Sequence, residues 1–371
     1  MEIYIFSREM ELLGIIDRIT SLIWTRKYWE CGKFKLLVPF TKHHIKKLKK
    51  GNLIMMRGGK EAAEIKYLHI TKNSQGIEQI EVQGKFLLSW IGKRVLTNQI
   101  ICRDTTANIL REIVRKTCVE AGATRNIPRL TIASVSVQDE EIEYVSEKYT
   151  NALLALETAA KAAKLGIKIT TNARSGQHEF VIYKGRLLTV GNSEGNTPCI
   201  FSQEYDNVVE QEYTNSVENL KTTAYVGGEE KAGVQQKIAQ VGNEISGLNR
   251  DEVYINASDI QQEYKDANGQ EIILSDSDYM NLLIGRGSSE LEQFAETLEF
   301  SSKINANANL QYGIDYDLGD IVTCVNKNWG IRIDVRITEI TETYEGKGRQ
   351  INISFGEGLP ALMTQIRQAS R

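Results

Sequence analysis

The chain has 371 residues, of which 41% are hydrophobic and 25% charged, with only 4 Pro and a net charge of −3. That is an ordinary globular composition and enough length for two or three domains with proper cores. Lys, Arg or Gly interrupts every long apolar run before it reaches the length of a membrane span, so stable membrane insertion is not expected.

The start, "MEIYIFSREMELLG", is acidic and alternating, which fits a first strand and not a signal peptide. Five scattered cysteines (Cys31, Cys102, Cys118, Cys199, Cys324) form no CxxC pair, and their number is odd. They are expected to be free thiols in a chain made in a reducing cytoplasm. The charge is unevenly spread: residues 1–100 carry 18 Lys+Arg against 9 Asp+Glu, and the rest carries 27 against 39. Such an imbalance points to two faces that meet different partners.

Residues 1–99 read as a first β domain. "EIYIFS" alternates, "ITSLIWTRKYWECGKFKLLVPF" holds two strands around Cys31-Gly32, and Asn73–Gly76 joins two more as a hairpin. Many short strands with Gly turns indicate a small antiparallel barrel or sandwich. The basic stretch "KHHIKKLKK" could contact nucleic acid, yet no aromatic residues interleave its lysines. A short surface helix with Ile45 and Leu48 turned inward accounts for it.

Residues 100–198 read as an α+β domain. One helix carries Ile109, Leu110, Ile113, Val114, Thr117 and Ala121 on one face, capped by Asp104 or Thr105 and ended at Gly122. A second carries Leu153, Leu156, Ala160 and Ala163 and stops at Gly166, with strands at 167–170 and 180–183 to follow. Residues 199–230 and 300–360 form a second β domain in this reading. It is interrupted by a helix-leaning insertion over 231–299, where Ser275 and Ser289 each open a capping box, and residues 361–371 remain as a tail.

The two β domains echo each other. Gly51-Asn52-Leu53-Ile54 and Gly319-Asp320-Ile321-Val322 each turn into a strand, a hairpin and a closing glycine, Gly84 or Gly356. Gly accepts the positive φ such a turn needs, and Asn or Asp tolerates it, so Gly51, Asn52, Gly319 and Asp320 are expected as structural turns. The fold class expected is therefore α+β and mostly β. It comprises two related antiparallel, tail-tube-like β-barrels, an α+β domain between them, and an insertion in the second barrel.

Six stretches carry a family likeness: "SLIWTRKYWECGKFKLLVP" (Ser21–Pro39), "LKKGNLI" (Leu48–Ile54), "GKFLLSWIGKRV" (Gly84–Val95), "EYDNVVEQEYTNSVENLKTTAYVGG" (Glu204–Gly228), "DYDLGDIV" (Asp315–Val322) and "RITEITETYEG" (Arg336–Gly346). In this order the chain resembles the tail-tip, or baseplate hub, proteins of phages of Gram-positive bacteria, related to the hub of contractile tails. The resemblance implies a virion tail-tip protein, a homotrimeric ring with two barrels per subunit. Such a ring would sit below the hexameric distal tail protein, surround the end of the tape-measure protein, and meet DNA only in transit. A fibre, receptor-binding protein or hydrolase would then be supplied by another chain. The acid surplus after residue 100 suits a channel wall that must not hold passing DNA.

Chemistry is sparse. His43, His44, His69 and His178 make no HxxH or HExxH spacing, and Asp315, Asp317 and Asp320 lack the twelve-residue loop and closing glutamate of an EF-hand. No nucleophile elbow, phosphate loop or carboxylate pair in an apolar setting stands out, so no metal, cofactor or enzyme activity is expected. The stretch "IWTRKYW" is the best candidate for a subunit contact, through Trp24, Arg26, Tyr28 and Trp29. The same aromatics support a rival reading, recognition of cell-wall carbohydrate.

Overall fold

A computed structural model describes residues 1–356 apart from 135, 136, 138, 243, 266–270, 306–308 and 347. The tail expected over 361–371 lies outside the described residues.

The first β unit comprises β1 (Ile3–Phe6), β2 (Leu12–Ile16), β3 (Ser21–Lys27), β4 (Lys33–Pro39), β5 (Leu53–Met56), β6 (Ala62–Lys72) and β7 (Glu78–Phe86). Their order is β3-β4-β7-β6-β5-β1-β2, antiparallel throughout. Period-two alternation drives the burial: in β4, Phe34, Leu36 and Val38 face inward while Lys33 is exposed. They meet Ile5, Leu22, Trp24, Ile65 and Val82 in one core. The basic stretch is the short helix α1 (Lys42–Lys47), capped by Thr41, with Leu48 buried just beyond it.

The middle unit starts with β8 (Ile101–Thr105) and α2 (Thr106–Val114), where Thr105 accepts a hydrogen bond from the Asn108 amide. The α-helix stops earlier than expected and passes into a single π turn, Arg115–Val119. β9 (Leu130–Ile132), β10 (Glu141–Val145), α3 (Ala152–Ala162), β11 (Gly166–Thr171) and β12 (His178–Tyr183) complete it. Asn151 caps α3 by accepting from the Leu153 and Leu154 amides, and Leu156, Ala159 and Ala160 are buried.

The second β unit opens with β13 (Leu187–Leu188), β14 (Ile200–Ser202) and β15 (Val208–Ser216). An inserted unit follows: β16 (Thr223–Gly227), β17 (Ile238–Gly242), β18 (Glu252–Asn256), β19 (Glu263–Lys265), β20 (Glu271–Ile273) and α4 (Asp276–Leu291). β16 pairs with β17 and β18, so the insertion begins directly after β15, before the boundary expected at 231. Ser275 caps α4 as expected, but Ser289 lies inside the same helix and starts no second one. Gly285 and Gly287 lie within α4, where a Cβ would meet the Glu143 carbonyl at 2.5 Å and the Val226 side chain at 2.5 Å, respectively. Their smallness lets the helix lie flat on its neighbours.

The chain returns through β21 (Thr297–Ile304), β22 (Ile321–Asn326), β23 (Ile331–Glu345) and β24 (Gly348–Gly356). Here the order is β15-β21-β24-β23-β22-β14, which repeats β3-β4-β7-β6-β5-β1 strand for strand. The repeat fails in one respect: β14 and β13 run parallel to β22, whereas β1 is antiparallel to β5. The second unit is therefore not wholly antiparallel. β23 also pairs with β3, which fuses the two units into one 14-stranded sheet among the described residues. The protein is α+β and mostly β, as expected; its strand path runs from β15 to β2 as an open sheet.

Candidate functional site

The four turn residues occupy matching places. Gly51 and Gly319 both have positive φ, +93° and +97°. The Gly51 amide donates to the Ile65 carbonyl at 2.8 Å, and the Ile65 amide donates back to the Asn52 carbonyl at 2.9 Å. In the second unit the Gly319 amide donates to Ile337 and the Ile337 amide to Asp320, each at 2.8 Å. One residue past each isoleucine the ladder slips by a β-bulge, between Ile65 and Tyr67 and between Ile337 and Glu339. Aromatic pairs recur too: Trp24 lies 6.0 Å from Phe34, and Tyr213 lies 6.3 Å from Phe300 at the equivalent positions. The closing glycines are one step out of register. Gly84 stands opposite Ile65, but it is Phe355, not Gly356, that stands opposite Ile337.

Side chains at the two turns differ. Glu64, before Ile65, is fully buried and accepts from Arg8 at 2.7 Å, Trp90 at 3.0 Å and Lys93 at 3.2 Å, and also from Lys66. Burial alone would raise its pKa; the hydrogen bonds from Lys66 and Arg8 and the charge of Lys93 overcome it and hold the carboxyl at about 2. The equivalent residue before Ile337 is Arg336, which donates to the Gly319 carbonyl at 2.7 Å. Asp320 accepts from the Arg186 guanidinium at 2.7 Å and from the Asp317 amide at 2.9 Å, and Asp317 accepts from Arg26 at 2.9 Å. The acidic cluster expected as a turn is thus held by arginines and backbone amides.

Strand β3 sits where the first, middle and second units meet. Trp24 is 2% exposed and its ring packs tilted against Phe86, centroids 4.6 Å apart. Thr25 and Thr341 share a hydroxyl hydrogen bond of 3.0 Å across the β3–β23 ladder. Arg26 donates to Glu61 at 2.5 Å and to the Tyr312 hydroxyl at 2.7 Å. Tyr28 is fully buried, and its backbone bonds both ways: its amide donates to Thr338 of the second unit, and its carbonyl accepts from Ile167 of the middle unit, both at 2.9 Å. The Arg336 guanidinium lies 5.1 Å from the Tyr28 ring, and a Cβ on Gly319 or Gly166 would reach that ring at 2.3 Å. Trp29, 7% exposed, packs edge-on against Tyr28 at 5.5 Å.

Trp24 is buried in the first unit's own core beside Phe34 and Phe86, while Tyr28 and Trp29 are buried where the first unit meets the middle and second units, so the contacts of the candidate strand in this structure are intramolecular. Alternation in "IWTRKYW" revealed a strand needing cover on both faces, but not which surface supplies it. Residues to which the sequence assigned no role in a joint complete it: Thr341, Glu342 and Arg336 on β23, and Gly166 and Tyr183 in the middle unit. Thr341 and Glu342 are identified by pairing across the β3–β23 ladder, and Arg336, Gly166 and Tyr183 by their contacts with the Tyr28 ring.

A second polar cluster joins α4 to the middle unit. Arg286, 5% exposed, donates to Asp259 at 3.1 Å and lies 3.7 Å from Glu147. It lines a cleft with Tyr144, Leu154 and Thr158, and its charge is spent on these carboxylates. No group of three His, Cys, Asp or Glu that could hold a metal occurs among the described residues. Cys118, Cys199 and Cys324 are buried free thiols, and burial pushes the Cys199 thiol up to about 12. Such thiols are poor nucleophiles.

The architecture is similar to those of known phage tail proteins. A 43 kDa tail protein of prophage MuSo2 from Shewanella oneidensis is 14% identical, with 96% of this chain and 98% of that one covered, at a TM-score of 0.56. A tail protein from Neisseria meningitidis MC58 is 9% identical, with 96% of each chain covered and a TM-score of 0.57. The prophage tail protein gp18 from Listeria monocytogenes EGD-e is 12% identical, with 100% and 98% covered and a TM-score of 0.56. At these identities the likeness is one of fold. No curated protein sequence matches the chain significantly. The family model for the Siphovirus ReqiPepy6 Gp37-like protein matches residues 2–357, nearly the whole length, and the chain belongs to that family of phage tail proteins.

Proposed function

We propose that this protein is a hub ring of the tail tip: a homotrimer whose two related barrel-like units per chain present six similar faces around one axis. Such a ring docks on the hexameric distal tail ring on one side and is three-fold on the other. It encloses the channel through which DNA passes and holds the end of the tape-measure protein. The observation that carries this reading is the duplicated strand order, with its shared Gly turn and bulge, because two equivalent units in one chain are what a symmetry adaptor requires. The role is mechanical: sheet edges closed against neighbours, not a reaction. Native mass spectrometry of the purified protein, alone and with its distal tail protein, tests it. Three times the chain mass is expected; a monomer in both conditions overturns the reading.

A further inference from the structure

The chain contains one closed joint between its two units, β23 on β3, and leaves the equivalent joint open. Superposing the units by their ladders places β6 on β23, with Tyr67 on Glu339 and Lys72 on Tyr344. The same superposition places β15 on β3, with Tyr213 on Trp24 and Thr214 on Thr25. In β23 the segment from Glu339 to Glu345 pairs with β24 on one side and β3 on the other. Its counterpart, Tyr67–Lys72 of β6, pairs only with β7, and β15 pairs only with β21, among the described residues.

Burial follows this difference. Glu342, in the closed joint, is 4% exposed, whereas Ile70 at its equivalent position is 45% exposed and Tyr67 is 46% exposed. On the other strand, Val209 is 54% exposed. Two bare edges carrying exposed apolar residues are an unmet pairing demand.

The charges are reversed between the joints. In the closed one, β3 contributes Arg26 and Lys27, and β23 contributes Glu339, Glu342 and Glu345, with Lys27 3.7 Å from Glu339. In the open one the β6 edge ends on Lys72 and β15 carries Glu210 and Glu212; within the chain Lys72 lies 3.3 Å from Glu78 and Glu210 3.3 Å from Lys303. Each edge therefore attracts the partner of its own joint and repels the partner of the other.

We infer that the Tyr67–Lys72 edge of β6 pairs antiparallel with β15 of a second copy of this chain. The register carried over from the closed joint sets Tyr67 opposite Ser216, His69 opposite Thr214, Ile70 opposite Tyr213 and Lys72 opposite Gln211. Because the two edges belong to opposite units, the contact is head-to-tail and propagates into a closed ring in which the units alternate. The charge reversal enforces that alternation. This inference rests on the ring reading above and names its interface.

Cysteine pairs test it. Thr25→Cys/Thr341→Cys sits where the hydroxyls are 3.0 Å apart and is the intrachain control. His69→Cys/Thr214→Cys is its equivalent across copies. On mild oxidation the control stays at one chain mass on a non-reducing gel. The second variant is expected to give a ladder ending at a closed species, and a mixture of the two single variants only a two-chain band. Glu210→Lys/Glu212→Lys, on the His69→Cys/Thr214→Cys background, should lower cross-linking at least tenfold, and adding Lys72→Glu should restore it. A trimer by native mass with no cross-link overturns the strand pairing and leaves the ring. A monomer with no cross-link, while the control oxidises, overturns both. Cross-linking that ignores the charge changes overturns the charge code.

Discussion

The two β units use one backbone plan and fill it differently. Each has a glycine near φ +95°, a reciprocal pair of hydrogen bonds to an isoleucine and a bulge just beyond it. In the first unit the frame is closed by a buried carboxylate, Glu64, gathering three cations; in the second an arginine stands in its place and caps the Gly319 carbonyl. The hairpin differs as well: β3 turns into β4 within a few residues, while an inserted unit of five strands and a helix separates β15 from β21. Backbone hydrogen bonding sets the repeat, and side chains decide what each copy touches.

The strongest test contrasts the ends of the two equivalent hairpin strands. Tyr28, just after β3, is buried at the three-unit junction, whereas Val217, at the same place after β15, is 59% exposed. Tyr28→Ala should cost about 3–5 kcal/mol of unfolding free energy, the usual loss for a buried aromatic truncated to Ala, read from denaturant midpoints. If Tyr28→Ala falls no further than a surface change, the junction does not hold the units together.

Next is the depressed carboxylate. Glu64 ordinarily titrates at 4.5 and is held at about 2 in the fold. A depressed folded value means its contribution is present above pH 4.5 and lost as pH falls toward 2. The shift corresponds to about 3 kcal/mol at order-of-magnitude precision. Glu64→Gln should remove that acid-sensitive part of the stability–pH curve and lower stability at neutral pH. An unchanged slope between pH 4.5 and 2 would show that the four donors around Glu64 do not act as drawn.

The glycine turns sharpen the comparison. Ala at position 51 or 319 is strained at positive φ by about 1–2 kcal/mol. At position 51 the new methyl meets only the far end of Arg8, whose side chain is exposed, at 2.8 Å; at 319 it meets the enclosed Tyr28 ring at 2.3 Å. Gly319→Ala should therefore lower the melting temperature clearly more than Gly51→Ala, and equal shifts would refute the packing difference. The smallest expected effect is Val217→Ala, within about 0.5 kcal/mol of wild type in the isolated chain.

Much of the local structure was legible. The caps Thr105 and Ser275 and the hairpin at Asn73–Gly76 follow from side chains that accept nearby amides, an interaction spanning a few residues. The reading of Ser289 as a second helix start did not hold. A serine three residues before a glutamate satisfies the same rule inside a helix, and α4 runs on through Ser289. What covers the candidate contact strand was not readable, since a strand apolar on both faces reads the same against its own chain or another's.

By itself, the sequence determined the turns, the alternation and the echo of Gly51-Asn52 in Gly319-Asp320, because φ preference and period-two burial act over a few residues. Tertiary structure alone decided that β3 lies on β23, with Thr25 bonded to Thr341 across 316 positions of chain, and that Tyr67–Lys72 of β6 and the outer side of β15 have no strand partner among the described residues. A strand's free N–H and C=O groups are the same whichever neighbour they meet. What selects the neighbour is the packing and charge of side chains brought together only when the whole sheet forms.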